Sequence, residues 1–383
     1  MKERIKDRKI VVVNQAVNHL TIGICNAFAA RFEHVSLITG SVHEQGEPLN
    51  DRIQITSINK WAERPALKKL YSYIMGTLAI YWLLLIKYRK YEVFFVSIPP
   101  TAYLLKVALP NRFSMLLWDV YPDVFKITGM KESHLLYRSW AFLNRIVFKK
   151  AFRLFTIGNR MAHLLEKYIG KDKLLITPLW SIFQANEKVP KEKNPFVLQE
   201  NLLGKFVVQY SGNIGLTHKV EVMVELAERM RSYPDILFQI IGRGSRVLSL
   251  KKTVEEKNLE NCQFLPFQSD EMFPYSLSAA DLGVVILDDL TSKGSVPSKS
   301  YNLMSYGIPS LYIAANDSEL YDYSLKYRNA KCFDEQHLDE AVAFILELSR
   351  DRALYAEFAQ NSLSAADDYK RSNADQIVEL YLK

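Results

Sequence analysis

Apolar runs alternate with amphipathic segments along the chain and predict its secondary structure. The first half opens with an apolar run at 10–13, a polar loop, an apolar-periodic helix over 22–32 and a second strand over 35–39. This β-α-β order is typical of a doubly wound sheet, in which ligands bind at the carboxyl ends of the strands. Asn18 and His19 in the polar loop are therefore candidate ligand-binding residues, although a loop histidine is more often simply exposed.

An apolar segment at 71–86 allows two interpretations. Its sixteen residues are fewer than the roughly 20 that a spanning helix needs. It could be a core helix leading into a strand at 93–96, or an interfacial helix in contact with anionic lipid, and the two are compatible. Basic residues stand at both ends, with Lys68 and Lys69 before the segment and Lys87, Arg89 and Lys90 after it.

A strand over 113–118 leads into a group of acidic and aromatic residues. Asp119, Tyr121 and Asp123 at this carboxyl end could form the lip of an active site. The alternative is a proline turn capped by acids. The basic amphipathic helix that follows at 134–152 is either a second membrane-facing element or a solvated helix face.

The strand-helix alternation stops over 183–204 and then starts again. We predict a linker there, because Pro190 and Pro195 lie among charged residues without periodicity. Beyond it, strands at 206–210, 236–241 and 282–287 lead into loops at 211–219, 242–245 and 288–299. Such loops should open on one edge of a second parallel sheet, which favours a nucleotide site.

The segment 295–311 is the strongest candidate for an anion site. Small polar residues lead into a short helix that Gly307 and Pro309 end. Free backbone N–H groups at a helix start attract phosphate, and Lys299 in the first turn would add a full positive charge. The alternative is an ordinary strand-loop-helix unit with a solvated lysine.

Composition and charge restrict the class of protein. The 383 residues are enough for two domains, and the three cysteines, at 25, 262 and 332, have no metal-ligand spacing. They fit reduced thiols in a cytosolic protein, and no secretory signal is recognisable. Residues 1–180 hold 27 Lys and Arg against 13 Asp and Glu, whereas 181–383 hold 22 against 29. We therefore expect the first half either to bind an anionic membrane surface or to present a solvated basic face without a partner. Nucleic acid is the less favoured anionic partner, because no nucleic-acid module is recognisable.

Several short segments, in order and spacing, make the chain resemble a known enzyme family. The resemblance is to the retaining glycosyltransferases of the two-Rossmann (GT-B) type, family 4, which act in bacterial capsule and O-antigen polysaccharide synthesis. It covers nearly the whole chain. The matching segments are 118–123, 210–215, 218–219, 241–244, 278–283, 296–301 and 306–309.

The resemblance implies two Rossmann-like α/β domains facing across a cleft. We expect an acceptor-side domain at 1–182, a nucleotide-sugar domain at 183–365, and a final helical segment at 366–383 that packs back on the first domain. It also implies metal-independent hexosyl transfer, without a cofactor, from a nucleotide-sugar to a saccharide or lipid-linked saccharide. From the reduced thiols, the basic first half and the helices at 71–86 and 134–152, we expect the enzyme to be cytoplasmic and peripheral at the inner face of the cell membrane.

The resemblance also assigns the site residues. Lys299, Asp119 and His218 are the expected catalytic residues, with Asp119 orienting or deprotonating the acceptor hydroxyl. Asn18 and His19 lie on the acceptor side. The expected donor-binding residues are Gly212, Asn213, Gly215, Lys219, Gly242, Arg243, Phe267, Ser295, Val296, Pro297, Ser298, Ser300 and Asn302.

The chain departs from the family pattern at two places. Asn213 and His218 stand near positions where many relatives carry Arg and Lys. Gly294 and Asn302 stand where many relatives carry a pair of Glu. Two rival functions remain. One is a nucleotide-sugar epimerase of the same architecture, against which the acid-poor stretch 295–311 argues; the other is a non-catalytic partner that keeps the fold, which the missing Glu pair suggests.

Overall fold

The computed structural model describes residues 4–62, 65–96, 98–183, 188–215, 219–288 and 295–383. The chain divides into two compact units. The N-terminal unit comprises Met1–Ile182 together with Arg371–Lys383, and the C-terminal unit comprises Phe183–Lys370.

A seven-stranded parallel sheet is the centre of the N-terminal unit. Its strands are β1 (Ile5–Val13), β3 (Phe32–Thr39), β5 (Gln54–Ser57), β6 (Glu92–Val96), β7 (Phe113–Leu117), β8 (Arg153–Thr156) and β9 (Leu174–Ile176), beside a short pair, β2 (Ala16–Val17) and β4 (Ser41–Val42). The spatial order is β5-β3-β1-β6-β7-β8-β9. Continuous apolar runs such as 10–13 form these strands because helices cover both faces of the sheet.

The helices of this unit are α1 (His19–Arg31), α2 (Ala66–Ile86), α3 (Leu135–Lys150) and α4 (Asn159–Leu165). Short 3-10 helices occupy Ala102–Ala108, Asp123–Thr128 and Lys171–Lys173. α2 is longer than the apolar segment at 71–86, because Leu67, Lys68, Lys69 and Leu70 are helical as well.

The C-terminal unit contains a six-stranded parallel sheet. Its strands are β10 (Phe206–Asn213), β11 (Ile236–Arg243), β12 (Cys262–Leu265), β13 (Leu282–Ile286), β14 (Ser310–Ile313) and β15 (Ala330–Phe333), in the order β12-β11-β10-β13-β14-β15. The strand order reverses between β10 and β13. In sheets of this type, ligands bind in the crevice at that switch point.

The helices of the C-terminal unit are α5 (Pro195–Gln199), α6 (Glu221–Arg229), α7 (Val247–Glu256), α8 (Phe273–Ser278), α9 (Lys299–Ser305), α10 (Glu319–Tyr327), α11 (Leu338–Arg350) and α12 (Arg352–Ala366). Short 3-10 helices occupy Lys191–Lys193 and Asp367–Tyr369. A last helix, α13 (Asn373–Leu382), packs against α1 in the N-terminal unit.

The prediction of two doubly wound α/β units is confirmed, with differences at particular elements. The segment predicted to be a linker contains α5, where Asn194 caps a helix that begins with Pro195, and Phe196 and Val197 are fully buried. The final helical segment expected at 366–383 contains α13, which begins at Asn373, whereas α12 ends at Ala366.

Candidate functional site

The side chain of Lys299 lies at the switch point of the C-terminal unit. It is the first residue of α9, and its Nζ donates a hydrogen bond to the Tyr210 hydroxyl on β10 at 2.9 Å. The same Nζ lies 4.2 Å from the centroid of the Tyr210 ring. The Tyr210 hydroxyl in turn donates to the Asn213 carbonyl at 2.7 Å, which links the lysine to the loop after β10.

Gly212 makes room for this lysine. A Cβ atom at Gly212 would lie 2.4 Å from Lys299 Cε, and the φ angle of +151° is one that other residues rarely adopt. The lysine therefore lies directly against the main chain at the end of β10. An anion bound there would contact both the main chain at Gly212 and the Lys299 amine.

Burial lowers the pKa of Lys299 to about 7. Beside it is a small cavity of about 30 Å³, whose lining includes Gln209, Ser211, Phe273 and Asn302. An anion entering this region would favour the charged form of the amine and raise its pKa. The group is thus suited to neutralise an anion without carrying a permanent buried charge.

Two glycines bring the ends of β10 and β11 into close contact. Gly212 and Gly242 are paired in the sheet, and a Cβ atom at Gly242 would lie 1.9 Å from the Gly212 carbonyl oxygen. Gly244 is equally close to the next loop, since its Cβ would lie 2.0 Å from the Ile214 carbonyl oxygen. Gly215 is buried beside Asn213, which is exposed. The loops predicted at 211–219 and 242–245 are therefore adjacent at residues 212–215 and 242–244.

Arg243 and Phe267 form an exposed planar surface near this loop pair. The Arg243 guanidinium lies 5.5 Å from the centroid of the Phe267 ring, and more than half of Phe267 is accessible to solvent. An aromatic ring next to a guanidinium can stack with a planar ligand group.

The segment before α9 differs from the sequence prediction. The N–H groups of Ser300 and Tyr301, expected to be free, donate to the carbonyls of Pro297 and Ser298, and the Ser300 hydroxyl also donates to Pro297 at 2.7 Å. α9 has only seven residues, so its dipole is small. The positive charge available at this point comes from Lys299. Of the neighbouring candidates, Val296 is buried, Ser295 and Pro297 are half-buried and Ser298 is exposed.

Lys219 does not lie beside Lys299 as a second free cation. It forms an ion pair with Glu335, with Nζ 2.6 Å from the carboxylate. His218 and Gly294 lie outside the described residues.

Asp119 and Asp123, predicted to share one role, are in different environments. Asp119 follows β7 and keeps contact with solvent. Desolvation by the surrounding protein raises the pKa of its carboxyl group, and the positive charge of Lys69 acts to lower it. Asp123 is buried, accepts hydrogen bonds from Tyr137 at 2.8 Å and Tyr168 at 2.7 Å, and pairs with Lys167. Asp123 therefore has a structural role, and only Asp119 remains available to a ligand.

Asn18 and His19 lie where β1 leads into α1. The Asn18 side-chain oxygen accepts a hydrogen bond from the Thr21 N–H at 3.3 Å and caps the helix. His19 is half-buried, and burial lowers its pKa to about 4, so its ring is neutral at pH 7. These residues share the carboxyl edge of the N-terminal sheet with Asp119.

The sequence alone does not identify Tyr210 as the partner of Lys299, nor Gln209 and Ser211 as lining of the adjacent cavity, because all three belong to a predicted strand and its loop. The available signal was Gln209, a polar residue inside the apolar run of β10, whose amide donates to Gln239 at 2.9 Å. Across the described ranges, no group of three or more His, Cys, Asp or Glu side chains could hold a metal ion.

Comparison with known proteins agrees with this geometry. Residues 191–364, which include Gly212, Gly242 and Lys299, match the model of the family described as glycosyl transferases group 1. The structure resembles that of WaaG, a glycosyltransferase involved in lipopolysaccharide biosynthesis, with a TM-score of 0.70, 14% identity and coverage of 97% of this chain and 99% of WaaG. The fold is that of the GT-B glycosyltransferases.

A second solved structure and two curated relatives are also similar. HepE from Anabaena, in complex with UDP and glucose, has a TM-score of 0.72 at 13% identity, over 98% of this chain and 99% of HepE. WcaI of Escherichia coli (strain K12), named as a colanic acid biosynthesis glycosyl transferase, is 29% identical over 218 residues, 54% of this chain and 53% of WcaI. WbjE of Pseudomonas aeruginosa, named as a glycosyltransferase, is 27% identical over 222 residues, 57% of this chain and 54% of WbjE. The chain thus spans about half the length of the curated relatives it matches.

Proposed function

We propose that this protein is a metal-independent, retaining glycosyltransferase of family 4 type that transfers a hexose from a nucleotide-sugar in bacterial surface polysaccharide synthesis. The observation that carries the proposal is Lys299, held by Tyr210 and Gly212 at the switch point of the C-terminal sheet. The matched family segment contains all three residues, and the similar HepE structure contains UDP and glucose.

Lys299 supplies the charge that the reaction needs. Departure of a nucleoside diphosphate builds negative charge on its bridging oxygen, and a preorganised donor there is worth roughly 3 to 4 kcal/mol. The amine has a pKa of about 7 without an anion and becomes fully charged once the diphosphate lies beside it. The exposed Phe267 ring and Arg243 would hold the base.

The acceptor is a saccharide, which we propose to be lipid-linked, bound by the N-terminal unit. Asp119 would orient or deprotonate its hydroxyl group. The raised pKa of Asp119 suits this role, because a carboxylate of higher pKa is a stronger base.

The decisive variant is Lys299→Met, which removes the charge and keeps much of the side-chain volume. Transfer from a nucleotide-sugar to acceptor should fall on the order of 100-fold. Lys331→Met, at an exposed lysine on β15, is the matched control and should leave the rate unchanged. Full activity in Lys299→Met would disprove the proposed role of this residue.

Two further measurements separate the rival functions. A nucleotide-sugar epimerase would convert its donor in the absence of acceptor, whereas a transferase would not change the sugar. A non-catalytic partner, which the Asn302 position allows, would bind no donor in calorimetry across a panel of nucleotide-sugars.

A further inference from the structure

The exposed side of α2 is more apolar than its buried side. Its buried residues include Ser72, Gly76 and Thr77. The exposed residues recur at helical spacing along the entire helix, and we call them the α2 face: Leu67, Leu70, Tyr71, Ile74, Met75, Leu78, Trp82 and Ile86. Leu67 is 81% exposed, Trp82 57% and Ile86 73%. An apolar stripe of this length on a surface marks a place where another body binds.

The opposite side of α2 is fixed within the N-terminal unit. Ile80 and Leu84 are fully buried, and the Gln15 side-chain amide donates to the Ser72 carbonyl at 2.9 Å. Gly76 lies so close to Gln15 that a Cβ atom there would be 2.5 Å from the amide nitrogen. Leu67–Ile86 is long and apolar enough to cross a membrane. If α2 spanned a membrane, however, it would lose these contacts with the rest of the N-terminal unit.

Two neighbouring elements also carry exposed apolar residues. α2 and α3 both pack on the 3-10 helix Ala102–Ala108, and the Tyr103 hydroxyl of that helix donates to Asn144 of α3 at 3.0 Å. The exposed apolar residues of these two elements are Val107, Leu135, Leu136 and Phe142.

The charged side chains of these three elements are all of one sign. α2, α3 and the 3-10 helix at Ala102–Ala108 contain no Asp or Glu. Exposed basic residues lie on the two long helices and just beyond α2: Lys68, Arg89, Lys90, Arg138, Arg145, Lys149 and Lys150. An apolar stripe flanked by basic groups complements an anionic bilayer, where each basic group near the surface adds attraction.

We propose that α2 lies in the plane of an anionic phospholipid bilayer, with the α2 face among the acyl chains and the basic residues at the headgroups. The helix would run about 30 Å along the membrane at 1.5 Å per residue. Tyr71 and Trp82 are residue types that favour the membrane-water interface.

Membrane binding would also bring a lipid-linked acceptor close to its expected base. Lys69 lies on the same helix as the α2 face, and its charge acts on the Asp119 carboxyl. This consequence rests on the proposed function, whereas binding to lipid alone does not. The two can therefore fail separately.

Flotation with vesicles tests the proposal on the full chain without donor or acceptor. The protein should float with vesicles of phosphatidylcholine and phosphatidylglycerol at low salt, and bind those of phosphatidylcholine alone much less. The triple variant Ile74→Gln, Leu78→Gln, Trp82→Gln should bind about 10- to 100-fold less, because it removes three exposed apolar side chains that the bilayer would cover. The matched control is Leu198→Gln, Leu248→Gln, Leu325→Gln, which changes three exposed leucines of the C-terminal unit and should float like the wild type.

Trp82 gives a second readout that does not depend on a variant's overall stability. Its fluorescence should shift to shorter wavelength on addition of the anionic vesicles, and the shift should be absent in Trp82→Phe. The proposal is overturned if the wild type stays unbound or if the triple variant floats normally. It is equally overturned if light scattering shows that the α2 face instead joins two copies of the chain.

Discussion

The pKa of Lys299 suits a site that binds an anion reversibly. A permanently charged amine would be costly to bury, whereas a pKa of about 7 leaves the free protein with a largely neutral lysine above that pH. A diphosphate raises the pKa, so the bound amine is charged. Under the proposed function, binding of a nucleoside diphosphate, for which UDP serves as the test ligand, should therefore take up a proton at about pH 8, and affinity should fall as pH rises above 7.

Calorimetry in two buffers of different ionisation enthalpy measures this uptake. The observed binding enthalpy should depend on the buffer at about pH 8, where the phosphates of UDP are fully ionised and Lys299 is not yet charged. In Lys299→Arg the group stays charged throughout, so this dependence should vanish. An enthalpy that is independent of buffer in the wild type would show that Lys299 does not titrate on binding.

Asp119 allows a prediction that separates acceptor chemistry from donor binding. Asp119→Asn keeps the shape of the side chain and removes its ability to take a proton. Transfer to the acceptor should fall about 100-fold or more, while UDP affinity stays within about twofold of the wild type. The same change at the exposed Asp172 serves as the control. A parallel loss of UDP affinity would assign Asp119 a structural role instead.

Residue types and their order along the chain identified Lys299 and the glycines, but not the residues that surround them. Tyr210 is 89 residues from Lys299, and only the pairing of β10 with β13 brings the two together. Lys219 and Glu335, which form an ion pair, are 116 residues apart, and local sequence patterns do not predict this contact either. Local patterns do not contain such contacts, because they depend on sheet order.

The surroundings of Gly212 and Gly242, at the ends of β10 and β11, lead us to expect different outcomes when each is replaced by alanine. Gly212→Ala would push against the flexible side chain of Lys299, whereas Gly242→Ala would push against the main chain at Gly212. Both glycines have positive φ, so each alanine also adds roughly 1 to 3 kcal/mol of backbone strain. Gly212→Ala should therefore lose mainly UDP affinity, and Gly242→Ala should lose mainly thermal stability. Equal melting temperatures for the two variants would contradict this distinction.

Elements with a continuous apolar run or a clear helical period were predictable, and elements without one were not. Apolar runs or clear helical periods gave β1, β6, β13 and the core of α2. The four-residue strands β14 and β15 and the five-residue α5 carry too few positions to show a period. Packing decides such elements: Phe196 and Val197 form a small core with Leu202, Val207, Ile241 and Ala279 that no local pattern reveals.

At the scale of the whole molecule, the two units have opposite charge and different tasks in our proposal. The basic N-terminal unit presents the α2 face, and the C-terminal unit holds the candidate site. The charge asymmetry was visible in the sequence. Which face carries the exposed apolar residues was not, because the same helical period would fit a buried core helix.

The last helix, α13, completes the core of the N-terminal unit although it ends the chain. Tyr381 is only 1% exposed, packs edge-on against Phe28 and Phe94, and its hydroxyl donates to Glu92. Tyr381→Ala should therefore destabilise this unit by roughly 3 to 5 kcal/mol, as for other large aromatic residues removed from a core. Glu379→Ala on the same helix should cost little, because its side chain is half exposed and pairs with Arg31 only at 3.7 Å.

Thermal unfolding followed with and without UDP can assign this loss to one unit. A ligand raises the melting temperature of the unit that binds it. In Tyr381→Ala we expect an early transition that UDP does not move, followed by a later one that UDP raises as in the wild type. A single transition lowered as a whole, and still raised by UDP, would mean that the two units unfold together and that α13 stabilises the entire chain.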